Sequence, residues 1–330
     1  MRKLVTVQAI EELHDIPSAD RILEAKVMGW RTIVKKGEFA IGDRCLFFEV
    51  DSLLPEAEWS EFMRSKKFRI KTMKMKGVLS QGLALPLRVF SEELRAKITM
   101  DLGFDCTEIL GVKKFELPIV DQIGGFVDQE GPFPAHIPRT DEERLQSNLE
   151  LLKFIEGRPY AITVKIDGSS VTISYDRDGK FLVCSRNFVL KNVPDRLSKH
   201  WIVAQKLGLA EKLKGTTLAV QGELVGPGVQ TNCLRLTEPD LLVFNVFDWH
   251  ERRQFNHVEV VEFCKSMNLT PVPTEEIGEK FSYDLPTLLE KARGFYKDTQ
   301  NDREGLVVRS LEKPRVSFKV LNNDFLLKED

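Results

Sequence analysis

Cysteine is sparse in this chain. Cys45, Cys106, Cys184, Cys233 and Cys264 stand far apart with no C-x-x-C pair. That spacing excludes a disulfide framework and a cysteine-built zinc site, and suits reduced residues in a cytoplasmic protein. The five histidines fall into no metal-ligand spacing. No signal-peptide pattern and no apolar run of transmembrane length occurs, so a soluble protein without a membrane partner is expected. Internal repeats and low-complexity tracts are lacking too. Net charge is only −2, so any basic footprint for a polyanion must be local. The 330 residues, with 42% apolar and 30% charged side chains, suffice for two globular domains.

Residues 1–117 read as short strands separated by turns. Leu4–Val7, Ile22–Val27, Trp30–Val34 and Arg44–Val50 are apolar or alternating, with Gly29, Gly37 and Gly42 between them. Close spacing of short strands predicts a small barrel, most economically a five-stranded OB-type β-barrel. Residues 118–139 are rich in proline and glycine and mark a linker. Residues 140–330 form the second domain. Thr140 and Glu143 have capping-box spacing and predict a helix through Leu145, Leu149, Leu152 and Phe154 that stops at Gly157. Strands dominate thereafter, with helices expected near 195–207, 257–267 and 286–293. Helices and strands do not alternate regularly, so the expected class is α+β with antiparallel sheets and flanking helices.

The chemistry centres on Lys165-Ile166-Asp167-Gly168-Ser169-Ser170, which ends the strand-like run Tyr160–Val164. Alternation puts Ile162, Val164 and Ile166 on one face and Thr163, Lys165 and Asp167 on the other. A buried lysine becomes a nucleophile when desolvation or a nearby cation removes its proton, and Asp167 is placed to hold such a cation. Taken alone, the motif reads equally as an ion pair at a strand end. Four further stretches put polar groups on apolar strands: Ser185-Arg186-Asn187, Gly222-Glu223-Leu224, Glu304-Gly305 and the alternating Arg315, Ser317 and Lys319. A nucleophile, carboxylates for a divalent cation and several cations together are what phosphoryl or nucleotidyl transfer requires.

In that order, and with Phe247-Asp248 between them, these motifs resemble the covalent nucleotidyltransferases, the superfamily of ATP-dependent ligases and capping enzymes. The run Gln221-Gly-Glu-Leu-Val-Gly-Pro-Gly-Val-Gln230 is closest to RNA ligases. The resemblance implies that Lys165 attacks the α-phosphate of ATP and becomes lysyl-AMP. It implies that Arg186 contacts phosphate or the strand end, that Glu223 holds the ribose hydroxyls and that Phe247 stacks on adenine. Asp167 and Glu304 would organise the waters of Mg²⁺ or Mn²⁺. Asp248 is a further metal candidate, although alternation turns it away from Phe247. Lys319 would press on the α-phosphate, and Arg144 is a further nucleotide contact on the expected helix. Many relatives carry K-x-K where this chain has Ser317-Phe318-Lys319, so Lys319 acts alone or shares its role with Arg315.

Domain order then separates the ligases. Only eleven residues follow Lys319, and the candidate OB module comes first, as in nick-sealing RNA ligases with an N-terminal OB domain. Pro17–Ile22, Lys35–Phe39 and Ile41–Asp43 fit that domain. The implied substrate is a nicked duplex with an RNA 3′-OH strand abutting a 5′-phosphate, sealed through a 5′-adenylylated intermediate, in RNA repair and by a monomer. Arg64–Lys76 holds seven cations and no acid in thirteen residues. It suits duplex phosphates or the β,γ-phosphates of ATP, against the alternative of a solvated β-ribbon. The rival readings are a DNA ligase and a non-catalytic nucleic-acid-binding protein.

Overall fold

The computed structural model describes residues 2–17, 19–115, 120–121, 125–126 and 128–328, so residues 118–119, 122–124 and 127 of the expected linker lie outside the described residues. The chain divides into two compact units. One comprises Met1–Leu117, Leu145–Leu149 and Leu326–Asp330; the other comprises Pro118–Arg144 and Glu150–Phe325.

The first unit holds two antiparallel three-stranded sheets. Val5–Ala9, Arg44–Phe48 and Leu83–Leu85 form one, and Glu12–Asp15, Ile22–Val27 and Trp30–Lys35 the other. Trp30, Thr32 and Val34 alternate inward, and Trp30 lies 6.4 Å from Phe47, centroid to centroid. The basic stretch does not run as one ribbon. Arg64 and Lys66 end a 3-10 helix over Glu58–Lys66, and Lys67 and Phe68 turn the chain with φ of 53° and 58°. Arg64 pairs with Glu61 and Glu56. Arg69 pairs with Asp51 at 3.2 Å and stacks over Phe115 at 3.9 Å. The exposed cations here are Arg64, Lys66, Lys67, Lys74 and Lys76.

The second unit is built on two sheets. The larger runs Gln129–Pro132, Phe188–Leu190, Phe181–Cys184, Ser169–Tyr175, Leu218–Val225, Asp240–Asp248, Arg253–Gln254, with Thr270–Pro271 beside Asp240–Asp248. Its apolar face meets helices Lys199–Lys206, Leu209–Leu213 and His257–Ser266 through Val171, Val220, Trp201 and Phe263. The last helix starts where its sequence says it should: Asn256 and Glu259 form a reciprocal capping box. The smaller sheet runs Glu143–Arg144, Ser317–Leu321, Gly305–Ser310, Tyr160–Lys165, Thr274–Gly278, antiparallel except at its first pair. The architecture is α+β and mostly antiparallel.

The helix expected from Thr140 is much shorter. Glu143–Arg144 is a strand, Leu145–Ser147 a 3-10 turn, and only Glu150–Ile155 is α-helical. Tertiary partners defeat the local signal. The Thr140 hydroxyl lies 3.1 Å from that of Ser170, and Glu142 is drawn to Arg309 and Ser317. Phe154, expected on the buried stripe, is 62% exposed.

Candidate active site

Lys165 ends the Tyr160–Lys165 strand opposite Gly305, the first residue of the neighbouring strand. That register brings Glu304 beside it, and the Lys165 Nζ donates to Glu304 Oε2 at 2.6 Å. The expected alternation holds: Ile166 is buried in an apolar cluster that Val164 joins, Ile162 is buried too, and Lys165 stands on the opposite face. Two glycines permit the close approach. A Cβ on Gly168 would run into the Leu224 carbonyl and lie 2.8 Å from Glu223 Cγ. At Gly305, φ is 150° and a Cβ would collide with the Val320 carbonyl. Gln230 Nε2 donates to the Gly168 carbonyl at 3.4 Å, tying the glycine-rich loop to the lysine turn.

Glu223 stands on the Leu218–Val225 strand, paired with Ser170 and Leu242. Burial pushes its carboxyl up to about 8; Lys165 opposes the rise, and Glu304 and Asp167 add to it. For Lys165, burial favours the neutral amine, but the charges of Glu304, Glu223 and Asp167 outweigh it and hold the ammonium above its ordinary range. The protein alone therefore keeps this lysine protonated.

The raised Glu223 carboxyl has a consequence for stability. Between about 4.5 and 8 the folded protein holds a proton there that the unfolded chain has lost. Folding stability contributed by this group therefore falls as pH rises through that window. Glu223→Gln should melt higher than the parent at pH 8, by on the order of 1–3 kcal/mol, and by little at pH 4. Thermal melts of both proteins across that range check the sign.

The smaller sheet gathers the cations. Its register pairs Thr163 with Val307, Val307 with Lys319 and Lys319 with Arg144, while Arg309 pairs with Ser317. Directly paired residues point the same way, so Lys165, Arg309, Ser317, Lys319 and Arg144 share one face. Arg144 is thus presented from a strand rather than from a helical turn. Glu142, which sequence reasoning missed, lies among them. It accepts from Arg309 Nη2 at 3.0 Å and Ser317 Oγ at 2.6 Å, with Arg315 Nη2 at 3.5 Å. Burial works against its charge, but the two arginines and the Ser317 hydroxyl hold the carboxyl below its ordinary range. Ser317 and Arg315 are therefore engaged with Glu142, and Lys319 is left as the lysine of this motif.

Arg186 is half-buried and ion-paired with Asp141. Phe247 packs against a small cluster of Phe133, Ile137, Leu182, Cys184 and Ala219. It pairs with Ala219, on the same face of that strand as Glu223. Asp248 is not brought to Lys165. It pairs with Leu218 at the far end of the strand from Glu223 and caps a turn, accepting from Thr217 Oγ1 and the amides of His250 and Glu251. Strand geometry accounts for this, since adjacency in sequence to Phe247 sends its side chain to the other face.

Among the described residues, no three His, Cys, Asp or Glu side chains converge as direct metal ligands. Asp167 and Glu304 offer an oxygen-only donor set of two carboxylates beside the lysine. That set fits a hard divalent cation that keeps most of its waters.

Comparison with known proteins agrees with this geometry. An OB-fold domain model matches residues 4–87, and the RNA ligase family model matches residues 158–321. With a solved relative at 33% identity over nearly the full length of both chains, the chain belongs to the RNA ligase family. That relative is the RNA ligase of Naegleria gruberi. Its pyrophosphate complex has a TM-score of 0.90 at 33% identity, covering 100% of this chain and 99% of that one. A variant of it with ATP and Mn has a TM-score of 0.90, and one with AMP and Mn likewise, each at 33% identity and covering 99% of both chains. None of the curated proteins compared with the chain matches it. No helix among the described residues is long and apolar enough to cross a membrane.

Proposed function

We propose that this protein is an ATP-dependent RNA ligase that seals 3′-OH/5′-phosphate nicks through lysyl-AMP and a 5′-adenylylated strand. Residues 1–117 are its OB module and residues 140–330 its catalytic module. The observation that carries the reading is the Lys165–Glu304 contact at 2.6 Å, with Asp167 and Glu223 crowding the same amine.

Neutral Lys165 Nζ attacks the α-phosphorus of ATP. A P–N bond forms, the P–O bond to pyrophosphate breaks, and the proton leaves the lysine. Asp167 and Glu304 are the residues that would hold a divalent cation. When bound, it supplies positive charge that offsets theirs and lets Lys165 lose its proton. Lys319 and Arg144 neutralise phosphate charge from the neighbouring strands. Glu223 accepts hydrogen bonds from the ribose hydroxyls when ionised, and Phe247 is the stacking surface for the base. The 5′-phosphate of the nick then takes AMP from the lysine, restoring the amine, and the 3′-OH displaces AMP to close the strand.

Relatives holding ATP, AMP, Mn and pyrophosphate support the nucleotide and metal parts of this reading. An OB module before the catalytic strands supports a nucleic-acid substrate; a nicked duplex, RNA repair and a monomeric state belong to the same proposal. The test is a panel of nicked duplexes differing only in the 3′-OH strand. Sealing with RNA there should exceed sealing with DNA by at least about tenfold, the scale on which loss of a recognised hydroxyl is felt. Equal sealing of both would make the protein a general polynucleotide ligase, and no sealing of either would reject the reading.

A further inference from the structure

Three of the residues assigned to adenylylation, Lys165, Asp167 and Glu304, come from two separate segments, and one phenol joins them. Tyr296 is 3% exposed and lies in neither segment. Its hydroxyl donates to the Lys165 carbonyl at 3.1 Å. It accepts from the amide of Asp167 at 2.9 Å and from the amide of Glu304 at 3.0 Å. A phenol possesses one proton and two lone pairs, which these three contacts match, and the Cys233 thiol also lies within hydrogen-bond reach of the same oxygen. The loop presenting Tyr296 is itself fixed. Tyr296 N donates to Asn301 O at 3.0 Å, Asn301 Nδ2 to Cys233 O at 2.7 Å, and Cys233 Sγ to Asp167 O at 3.2 Å.

Asp167 and Glu304 both lie just outside the strands they flank, and the phenol accepts from the amide of each; the Glu304 carbonyl is held separately by the Asn322 amide at 2.9 Å. We propose that Tyr296 is a positioning residue for adenylylation: its hydroxyl sets the spacing of the Lys165 backbone from the two carboxylates that hold the divalent cation. This rests on the ligase reading above. Tyr296 touches neither nucleotide nor reacting atoms in this arrangement; it acts through the backbone of three residues that do.

The variant is Tyr296→Phe, which keeps the ring and removes one oxygen. Mn²⁺ binding to each protein is measured by the loss of the free-ion electron paramagnetic resonance signal, alongside labelled AMP transfer against Mn²⁺ concentration and thermal melting. Removing an outer partner of metal-binding groups lowers metal affinity by about 10–100-fold. The expected result is therefore a dissociation constant raised about tenfold or more, with AMP transfer recovering substantially at saturating Mn²⁺ and melting still cooperative. Unchanged Mn²⁺ affinity, with activity lost only in proportion to the folded fraction, would make Tyr296 merely structural and overturn the proposal. If the variant does not fold, amide exchange in the parent decides: slow exchange at Asp167 and Glu304 supports the shared phenol, and rapid exchange overturns it. A parent that takes neither AMP nor Mn²⁺ would overturn the ligase reading itself, a different outcome from a parent that works beside a variant equally good.

Discussion

Replacing Lys165 by alanine should abolish covalent transfer of AMP to the protein while leaving its fold in place. The loss should be on the order of 10³-fold or more, because the attacking atom itself is removed. The fold should survive because the buried side of that strand is carried by Ile162 and Ile166 rather than by the lysine. The change also leaves the carboxylates of Glu304, Glu223 and Asp167 without the cation among them, which increases their mutual repulsion. Lys165→Arg restores that cation and separates the two effects. A guanidinium stays protonated, so the arginine variant should keep the charge balance and still form no adduct. The check is labelled ATP with a divalent cation, followed by acid treatment of the denatured protein. An acid-labile adduct on either variant would remove Lys165 from its role.

Glu304→Gln should reduce adenylylation by about 100-fold at neutral pH, the upper range for disturbing groups around a metal. Two effects oppose each other. Losing the carboxylate 2.6 Å from the amine favours the neutral lysine and should help attack. Losing half of the two-carboxylate donor set weakens the hold on the cation. The second should win, because a divalent cation offsets more charge than one glutamate contributes. The competition leaves a signature: the residual activity of the variant should need more Mg²⁺, and its rate should level off at lower pH than in the parent. Asp167→Asn, whose charge acts more weakly on the lysine, should show the first change with less of the second. Undiminished activity of the parent in EDTA would dismiss the metal role of both residues.

What the sequence disclosed was what neighbours in sequence decide. Alternation through Tyr160–Lys165 set the lysine opposite the apolar face, and the strands at Ile22–Val27 and Trp30–Lys35 fell where their pattern put them. The helix expected near 257–267 is present at His257–Ser266, and Asn256 and Glu259, three residues apart, cap it. The failures are contacts over long separations. Thr140 and Glu143 have the spacing of a cap, but Glu142 meets Ser317 and Arg309, which lie more than 160 residues away. Arg69 looked like one cation in a basic patch until Asp51 and Phe115 claimed it. Tyr296 carries no motif at all. A single tyrosine between Phe295 and Lys297 gives no pattern from which its three backbone partners follow.

If Lys165 is the nucleophile, its separation of 139 positions from Glu304 also sets when activity becomes available during synthesis. A chain emerging from the ribosome exposes the lysine long before its carboxylate partner, and the strand bearing Lys319 follows later still. Until Gly305–Ser310 docks between Tyr160–Lys165 and Ser317–Leu321, the lysine has neither Glu304 nor Lys319 beside it. On the proposed reading a nascent chain stays inert toward ATP until the smaller sheet closes.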